Sequence, residues 1–452
     1  MGNSYQKVAF RSLGCKVNEY EIEYMQQKME QNGYVVVSFA QNADIYVINT
    51  CTVTNIADRK SRQMIHQAKK RNPQSIVVAV GCYVQTCGKQ ALEDEAVDIV
   101  IGNNNKSRIV EIIEQYIKDK NSLRYEDCVS DLTTPVSYEK MHIVKTAEHK
   151  RAFVKIQDGC NQFCSYCAIP LARGRIRSRS LEDIVSEVSD LSKNGYTEVV
   201  LTGIHLSSYG IDFISGEGQR NSSYNDVAKT KAFTNRDLAQ VILAVDAIEG
   251  IERIRLGSLE PRLITEEFLT MISKSKKLCA HFHLSLQSGS DETLRRMNRK
   301  YSVSEFEQSV GLLRKYFDNP AVTTDVIVGF PGESEDEFSD TYAFIRKIGF
   351  FELHVFKYSP RKNTVAAKME GQIDDEVKSR RSDMLLEIDK KLSDDFKRSY
   401  LGREVEVLFE EKKGNFYVGH TKEYIMVGMK SEENLEGKIV KTVLDGDTLF
   451  FV

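Results

Sequence analysis
Two successions of short, almost wholly apolar segments, each separated from the next by a stretch of helical period, constrain this chain more than any other feature. In the first, residues 7–13 (KVAFRSL), 34–38 (YVVVS), 44–50 (DIYVINT), 76–80 (IVVAV) and 97–101 (VDIVI) read as buried strands, with helical patterns at 18–32, 54–71 and 105–118. Strands apolar on both faces have no solvated side, so they belong in a parallel sheet covered by crossover helices. Residues 1–122 are therefore expected to form one parallel α/β domain. In the second, strands at 152–157, 197–202, 252–257, 281–286, 321–328 and 351–356 alternate with helices near 180–194, 235–248, 264–275, 303–316 and 335–348. Six β/α units in a row predict an open or partial (β/α)6 barrel within residues 151–385, with chemistry at the carboxyl ends of its strands.

Residues 123–150 lack periodicity and read as a linker, and residues 207–234 interrupt the second β/α unit as a Gly/Ser-rich insertion. After a charged helix at about 374–400, alternating apolar residues (VEVLF, FYVGH, YIMVGM, KIVKTVL, TLFFV) predict a small all-β barrel over 398–452. The 452 residues leave room for two or three domains, and 28% charged with 41% hydrophobic residues suits a chain that folds in water. No apolar run of about 18 residues is present, and MGNSYQKVAFRSLGC lacks the features of a signal peptide. Gly2 leads straight into a strand and reads as an ordinary terminus, not a lipidation site. The expectation is a cytoplasmic protein without a membrane segment.

Nine cysteines, an odd number in such a chain, point to reduced thiols. Three of them form Cys160-Asn-Gln-Phe-Cys164-Ser-Tyr-Cys167, directly after the first strand of the second series. Three thiolates on one loop can hold three irons of a [4Fe–4S] cube, leaving the fourth open to amino and carboxylate groups of a substrate. The competing reading is a structural zinc site, which usually takes paired CxxC knuckles and four ligands; no second CxxC pair is present. Cys15, Cys51 and Cys82 lie far apart, but each follows a strand of the first series (FRSLGC, IYVINTC, VVAVGC). The carboxyl ends of parallel strands share one edge, so these three should meet in space; the alternative is three ordinary buried cysteines. Cys87, Cys128 and Cys279 share no such placement and read as incidental thiols.

QDGCNQFCSYCAIP resembles the signature of the radical S-adenosylmethionine (SAM) superfamily. The resemblance implies that Tyr166, before the third cysteine, lies near the adenine of SAM. The segments Thr202-Gly203, Gly257 to Pro261, Ser285 to Ser290 and Asp325 to Glu333 match the same superfamily at successive strand ends, which makes Gly203, Ser258, Glu260, Gln287 and Asp325 candidate SAM contacts; ordinary turns are the alternative for such residues. With the second triad included, nearly the whole chain resembles the methylthiotransferase family. That family has an N-terminal domain with an auxiliary [4Fe–4S] cluster, a radical SAM barrel and a C-terminal TRAM barrel. SLGCKVNEYE, VINTCTVTN, VGCYVQ and QDGCNQFCSYCAIPLARGRIRSR are similar to its MtaB-like branch, which methylthiolates C2 of N6-threonylcarbamoyladenosine beside the anticodon of lysine tRNA. The branch acting on isopentenyladenosine reads YGCQMN and NTCS, and the branch acting on a ribosomal-protein aspartate reads LGCPKN and NTCGF. Lys16-Val17-Asn18 and Thr52-Val53-Thr54 select the first.

The resemblance implies a two-cluster mechanism in which all six cysteines are catalytic. Sulfur at the cluster on Cys15, Cys51 and Cys82 is methylated by one SAM. A second SAM, at the cluster on Cys160, Cys164 and Cys167, is reduced to a 5′-deoxyadenosyl radical that takes the hydrogen from C2, and the methylthio group joins there. Implied partners are tRNA, SAM and an electron donor such as flavodoxin or ferredoxin, with the chain a monomer. For RNA, the candidate phosphate contacts are Arg173, Arg175, Arg177 and Arg179, just after the cluster loop; a solvated charged loop is the alternative. Arg59, Lys60, Arg62, Lys69, Lys70 and Arg71 either face RNA or form a solvated helix face. A net charge of −3 and a pI near 6.3 give no global sign of nucleic-acid binding. Residues 401–452 hold seven Lys/Arg against ten Asp/Glu, so contacts there would rest on a few side chains such as Lys412, Lys413, Phe416 and Tyr417. An acidic barrel also suits a basic protein, which keeps the ribosomal-protein substrate as an alternative; a non-catalytic iron–sulfur RNA-binding protein is the third class.

Overall fold
The computed structural model describes residues 6–134, 136–145, 151–214, 236–446 and 448. Strands β1 (Lys7–Ser12), β2 (Val35–Val37), β3 (Ile45–Thr50), β4 (Ile76–Gly81) and β5 (Ile99–Ile101) form one all-parallel sheet in the order β2-β1-β3-β4-β5. Every residue of β3 and β4 is buried, which is why their sequences show no alternation. Strand order reverses between β1 and β3, and in such sheets a crevice opens at the carboxyl ends there. Cys15 and Cys51 follow those two strands.

The second series forms β6 (Arg151–Asp158), β8 (Glu198–Gly203) and β9 (Arg253–Leu256), then β10 (His281–His283), β11 (Ala321–Val328) and β12 (Glu352–Lys357). Each set is parallel, and backbone bridges Ile254–Leu278 and Leu259–Leu284 join β9 to β10. Six parallel strands thus run in sequence order as a partial barrel. Among the described residues β6 and β12 do not pair, and the helix Lys16–Gln31 of the first domain packs on β6 and β8. Capping boxes at Ser302/Glu305 and Ser334/Glu337 set two of the outer helices at the starts their sequences mark. β7 (Arg177–Ser178), two residues antiparallel to β6, lies in a stretch marked only by its basic charge. Residues 215–234 of the expected insertion, with residue 235 after it, lie outside the described residues.

Apart from one helical turn at Tyr125–Cys128, the described residues of 123–145 pack as irregular chain, which is why their sequence shows no sustained period. Cys128, Leu132, Met141 and Ile143 are buried, and Tyr20 Oη–H donates to Met141 O (3.0 Å). The helix Asp375–Arg398 packs on β11 and β12 and leads to β13 (Glu404–Lys413), β14 (Phe416–Thr421), β15 (Met426–Met429) and β16 (Ile439–Val443). These form an antiparallel sheet, β15-β14-β13-β16. Gly428 N–H donates to Thr448 O (3.0 Å), returning the chain beyond β16 to β15; residues 447 and 449–452 lie outside the described residues. Among the described residues no helix is long and apolar enough to cross a membrane.

This last sheet closes the amino end of the partial barrel. Arg253 donates to His420 O (3.0 Å) and Glu406 O (2.6 Å), and Arg255 to Lys422 O (2.9 Å) and Thr421 O (3.1 Å). Glu198 balances both guanidiniums, at 3.6 Å from Arg253 and 3.1 Å from Arg255. Fully buried arginines need acceptors, and backbone carbonyls of β13, of β14 and of the turn after it supply most of them, with Arg253 Nε left without a partner among the described residues. Tyr424, at φ +72°, stacks on His281 and His420, with the Arg151 and Arg255 guanidiniums over its ring. Tyr424→Ala should cost about 2 kcal/mol or more and speed proteolytic release of residues beyond 398; an unchanged cleavage rate would refute this role for Tyr424.

Candidate functional site
The turn after β1 brings the first triad together. Gly14 sits at φ +116°, and a Cβ there would lie 2.9 Å from Cys51 Sγ, so only glycine lets the two loops approach this closely. Asn18 Nδ2 donates to Leu13 O (2.7 Å) and Thr50 O (3.1 Å), clipping the ends of β1 and β3 together. Asn103, just after β5, donates to Cys82 Sγ (3.4 Å). Burial and then the Cys82 charge push the Cys51 thiol up to about 12. Cys15 opens onto a cavity yet is ringed by protein atoms; this surround pushes its thiol up, the Arg173 guanidinium opposes the rise, and Cys82 adds to it.

The second triad sits on one tight loop. A Cβ on Gly159 (φ +71°) would meet Arg175 O at 1.9 Å, so glycine is required directly before Cys160. Phe163 adopts φ +49°, unusual for a side chain of its size, and the Arg175 guanidinium lies 4.5 Å over its ring. Ser165 Oγ donates to Arg296 O (2.8 Å), and Arg299 Nη1 donates to Cys164 Sγ (3.3 Å). Burial and then the Cys164 charge push Cys167 up to about 12, and burial with the charges of Cys164 and Cys167 pushes Cys160 up. All nine cysteines are free thiols. Soft donors that crowd and repel one another in this way fit a cationic iron centre, which takes them as thiolates.

A cavity of about 500 Å³ lies inside the barrel. Cys15 and Lys16 enter it from the first domain, Gly203, Ser258, His283, Asp325 and His354 from the barrel strands, and Tyr424 from below. A second cavity of about 240 Å³ is lined by Thr54, Tyr166, Gln287, Phe356 and Tyr358, and Asp325 borders both. Tyr166, Gln287 and Asp325 thus meet in one cavity, while Gly203, Ser258 and Asp325 meet Cys15 in the other. Gln287 holds φ +66°. Glu260 lines neither: it is buried 3.4 Å from both His205 Nε2 and Gln162 Nε2, with Arg299 at 4.0 Å. Burial opposes its charge, but His205 and Arg299 hold its carboxyl below the usual range. A cavity of about 520 Å³ beside Lys28 and Arg108 is lined by helix surface and touches no cysteine.

The basic stretch after the cluster loop is not an RNA surface. Arg173, Arg177 and Arg179 are 0%, 4% and 3% exposed. Arg173 donates to Glu21 Oε1 (2.8 Å), Glu21 Oε2 (3.0 Å), Asp158 Oδ1 (3.2 Å) and Asn18 Oδ1 (2.7 Å). Arg177 donates to Arg173 O (2.8 Å) and faces Asp158 (3.5 Å), and Arg179 pairs with Glu187. Arg175 is half-buried against Phe163. Guanidiniums buried against carboxylates in this way are out of reach of phosphates. In the C-terminal sheet Tyr417 is buried, with Lys412 over its ring. On the helix Asn55–Arg71, by contrast, Arg59, Lys60, Arg62, Lys70 and Arg71 stay exposed, while Lys69 pairs with Asp98 (2.7 Å).

Several site residues carried no expectation from the sequence. Asn103 follows a strand end, so the rule that selected the cysteines could have found it. Arg299 and the lumen-facing His283 and His354 have no local signal beyond a polar residue in or after a strand.

The fold and the paired triads define a radical SAM protein with an added N-terminal sheet. Residues 154–345 match the radical SAM superfamily, and residues 7–102 match the uncharacterized protein family UPF0004. The structure of TsrM, a radical SAM methyltransferase from Kitasatospora setae solved with cobalamin and a [4Fe–4S] cluster, aligns with a TM-score of 0.57 at 14% identity, over 80% of this chain and 74% of that one, a likeness of fold. The threonylcarbamoyladenosine tRNA methylthiotransferase MtaB of Bacillus subtilis is 40% identical over 96% of this chain and 92% of its own length. Its counterpart in Aquifex aeolicus is 39% identical over 97% of this chain and all of its own. The chain belongs to the radical SAM methylthiotransferase family.

Arg173→Met should lower stability by about 3 kcal/mol, because it removes the guanidinium's hydrogen bonds to buried Glu21, Asp158 and Asn18, leaving the carboxylates to Lys106, Lys155 and Arg177 alone. Arg175→Met should cost no more than about 1 kcal/mol. Urea unfolding followed by circular dichroism distinguishes them, and equal costs would contradict the burial described here.

Proposed function
We propose that this chain places a methylthio group on C2 of N6-threonylcarbamoyladenosine in tRNA. The observation that carries the reading is that Cys15 of one triad opens into the same cavity as Gly203, Ser258 and Asp325, three of the SAM candidates of the barrel that bears the other. The relatives of similar length carry the matching activity in their names. Cys160, Cys164 and Cys167 would hold one [4Fe–4S] cluster, and Cys15, Cys51 and Cys82 the auxiliary one. When bound, these groups and SAM supply a carbon radical and the sulfur.

The side chains position and shield. Tyr166, Gln287 and Asp325 would grip SAM beside the Cys160 loop, and Gly203 and Ser258 would line its approach to the Cys15 side. Glu260 acts from behind the loop, bound to Gln162 between Cys160 and Cys164. Arg299 donates to Cys164 Sγ and so fixes that side of the loop. Tyr424, with the Arg151 and Arg255 guanidiniums over its ring, forms part of the floor.

Within this reading, residues 1–122 are the auxiliary-cluster domain, 151–385 the radical SAM domain and 398–452 a TRAM domain, joined through 123–150. The exposed cations of the helix Asn55–Arg71, which begins just after Cys51, would meet tRNA phosphates. The substrate would be lysine tRNA, the electron donor a flavodoxin or ferredoxin, and the enzyme a cytoplasmic monomer. Cys15→Ala should abolish methylthio transfer to tRNA, read by nucleoside mass spectrometry, while 5′-deoxyadenosine still forms from SAM under reduction. Normal methylthio product from that variant, or a methylthio group found on a ribosomal protein instead of tRNA, would overturn the reading.

A further inference from the structure
One cation in the lumen makes no direct ion pair among the described residues, although the charge of Asp325 acts on it. Lys16 lines the large cavity with its side chain open to it. Among the described residues its Nζ has no hydrogen-bond acceptor and no ion pair. The two carboxylates of the same cavity are engaged, Asp325 with His283 (3.2 Å) and Glu352 with His354 (4.0 Å). Glu198 and Glu410 serve the arginines of the floor. The lumen therefore offers an ammonium beside imidazoles, with Asp325 the carboxylate whose charge reaches it, and an ammonium without a direct partner suits an anionic ligand group.

We infer that Lys16 is a specificity-determining residue that binds the carboxylate of the threonyl group on N6 of the substrate adenosine, an inference that rests on the function proposed above. C2 and C6 of adenine both flank N1, so a substituent on N6 projects from the side of the ring next to C2. If C2 is presented to the Cys15 triad, that substituent comes within reach of the residue next to Cys15. The threonylcarbamoyl group ends in a carboxylate; an isopentenyl group has no charge.

The test uses the reconstituted full-length enzyme with tRNA carrying N6-threonylcarbamoyladenosine and with the same tRNA carrying its carboxyl methyl ester. The wild-type chain should favour the free carboxylate by about ten- to a hundredfold in kcat/KM. Lys16→Gln should bring the two substrates within about twofold, mainly through KM for the acid, and Lys16→Arg should restore most of the preference. Equilibrium binding of the acid and ester nucleosides to the same proteins, with iron content measured alongside, gives a readout independent of turnover and of cluster loss. A Lys16→Gln enzyme that keeps the wild-type preference in turnover and in binding overturns this assignment and leaves the proposed function standing. A wild-type enzyme that ignores N6-threonylcarbamoyladenosine and methylthiolates another substrate overturns both.

Discussion
The buried guanidinium of Arg173 is the contact through which the two halves of the site know each other's position. It reaches Glu21 and Asn18 on the first-domain helix that starts next to Cys15, and Asp158 at the end of the strand that leads to Cys160. Lys155 and Lys106 complete the arrangement around Glu21, all of them without solvent contact. Burial opposes the charge on Glu21 and Asp158, but the surrounding cations hold both carboxyls far below their usual range. Such a group contributes little net stability compared with well-packed apolar residues, yet losing one member is costly. Its effect is geometric: a buried fork with fixed acceptors permits one docking of the domains, which a greasy interface would not enforce.

That same network marks where sequence reading stopped. The strands were legible because β3 and β4 are mostly apolar and buried throughout, and the cysteines because each follows such a strand. The run from Arg173 to Arg179 looked like a phosphate-binding surface because its partners, Glu21, Asp158 and Glu187, are supplied by other elements. Local charge density cannot reveal a pairing made over 152 residues. A weaker signal was nonetheless present. Lys155, Arg253 and Arg255 interrupt strands that are otherwise apolar, and a charge in a buried strand must have a partner across an interface. Here those interfaces are the two that join the barrel to its neighbours.

The barrel is consequently used at three surfaces. Its carboxyl ends carry the cysteine loop, and its amino ends are sealed by backbone carbonyls of the C-terminal sheet. The gap between β6 and β12 leaves a lateral side, and the first-domain helix Lys16–Gln31 lies against β6 and β8. The N-terminus of that helix delivers Cys15 and Lys16 into the lumen. A closed eight-stranded barrel would fill its interior with side chains; six strands leave a lumen wide enough for a ligand and open to a second domain.

The C-terminal sheet is therefore more than an appendage carrying RNA contacts. Its net negative charge argued against a broad phosphate-binding face, and the structure gives it another task. Tyr424 stands in a left-handed backbone conformation at the tip of a turn, where its ring is held between two imidazoles and under two guanidiniums. It forms part of the wall of the cavity that Cys15 enters. Radical chemistry needs a site from which water and stray donors are kept out, and in this chain part of that enclosure comes from the domain farthest from the cysteines in sequence.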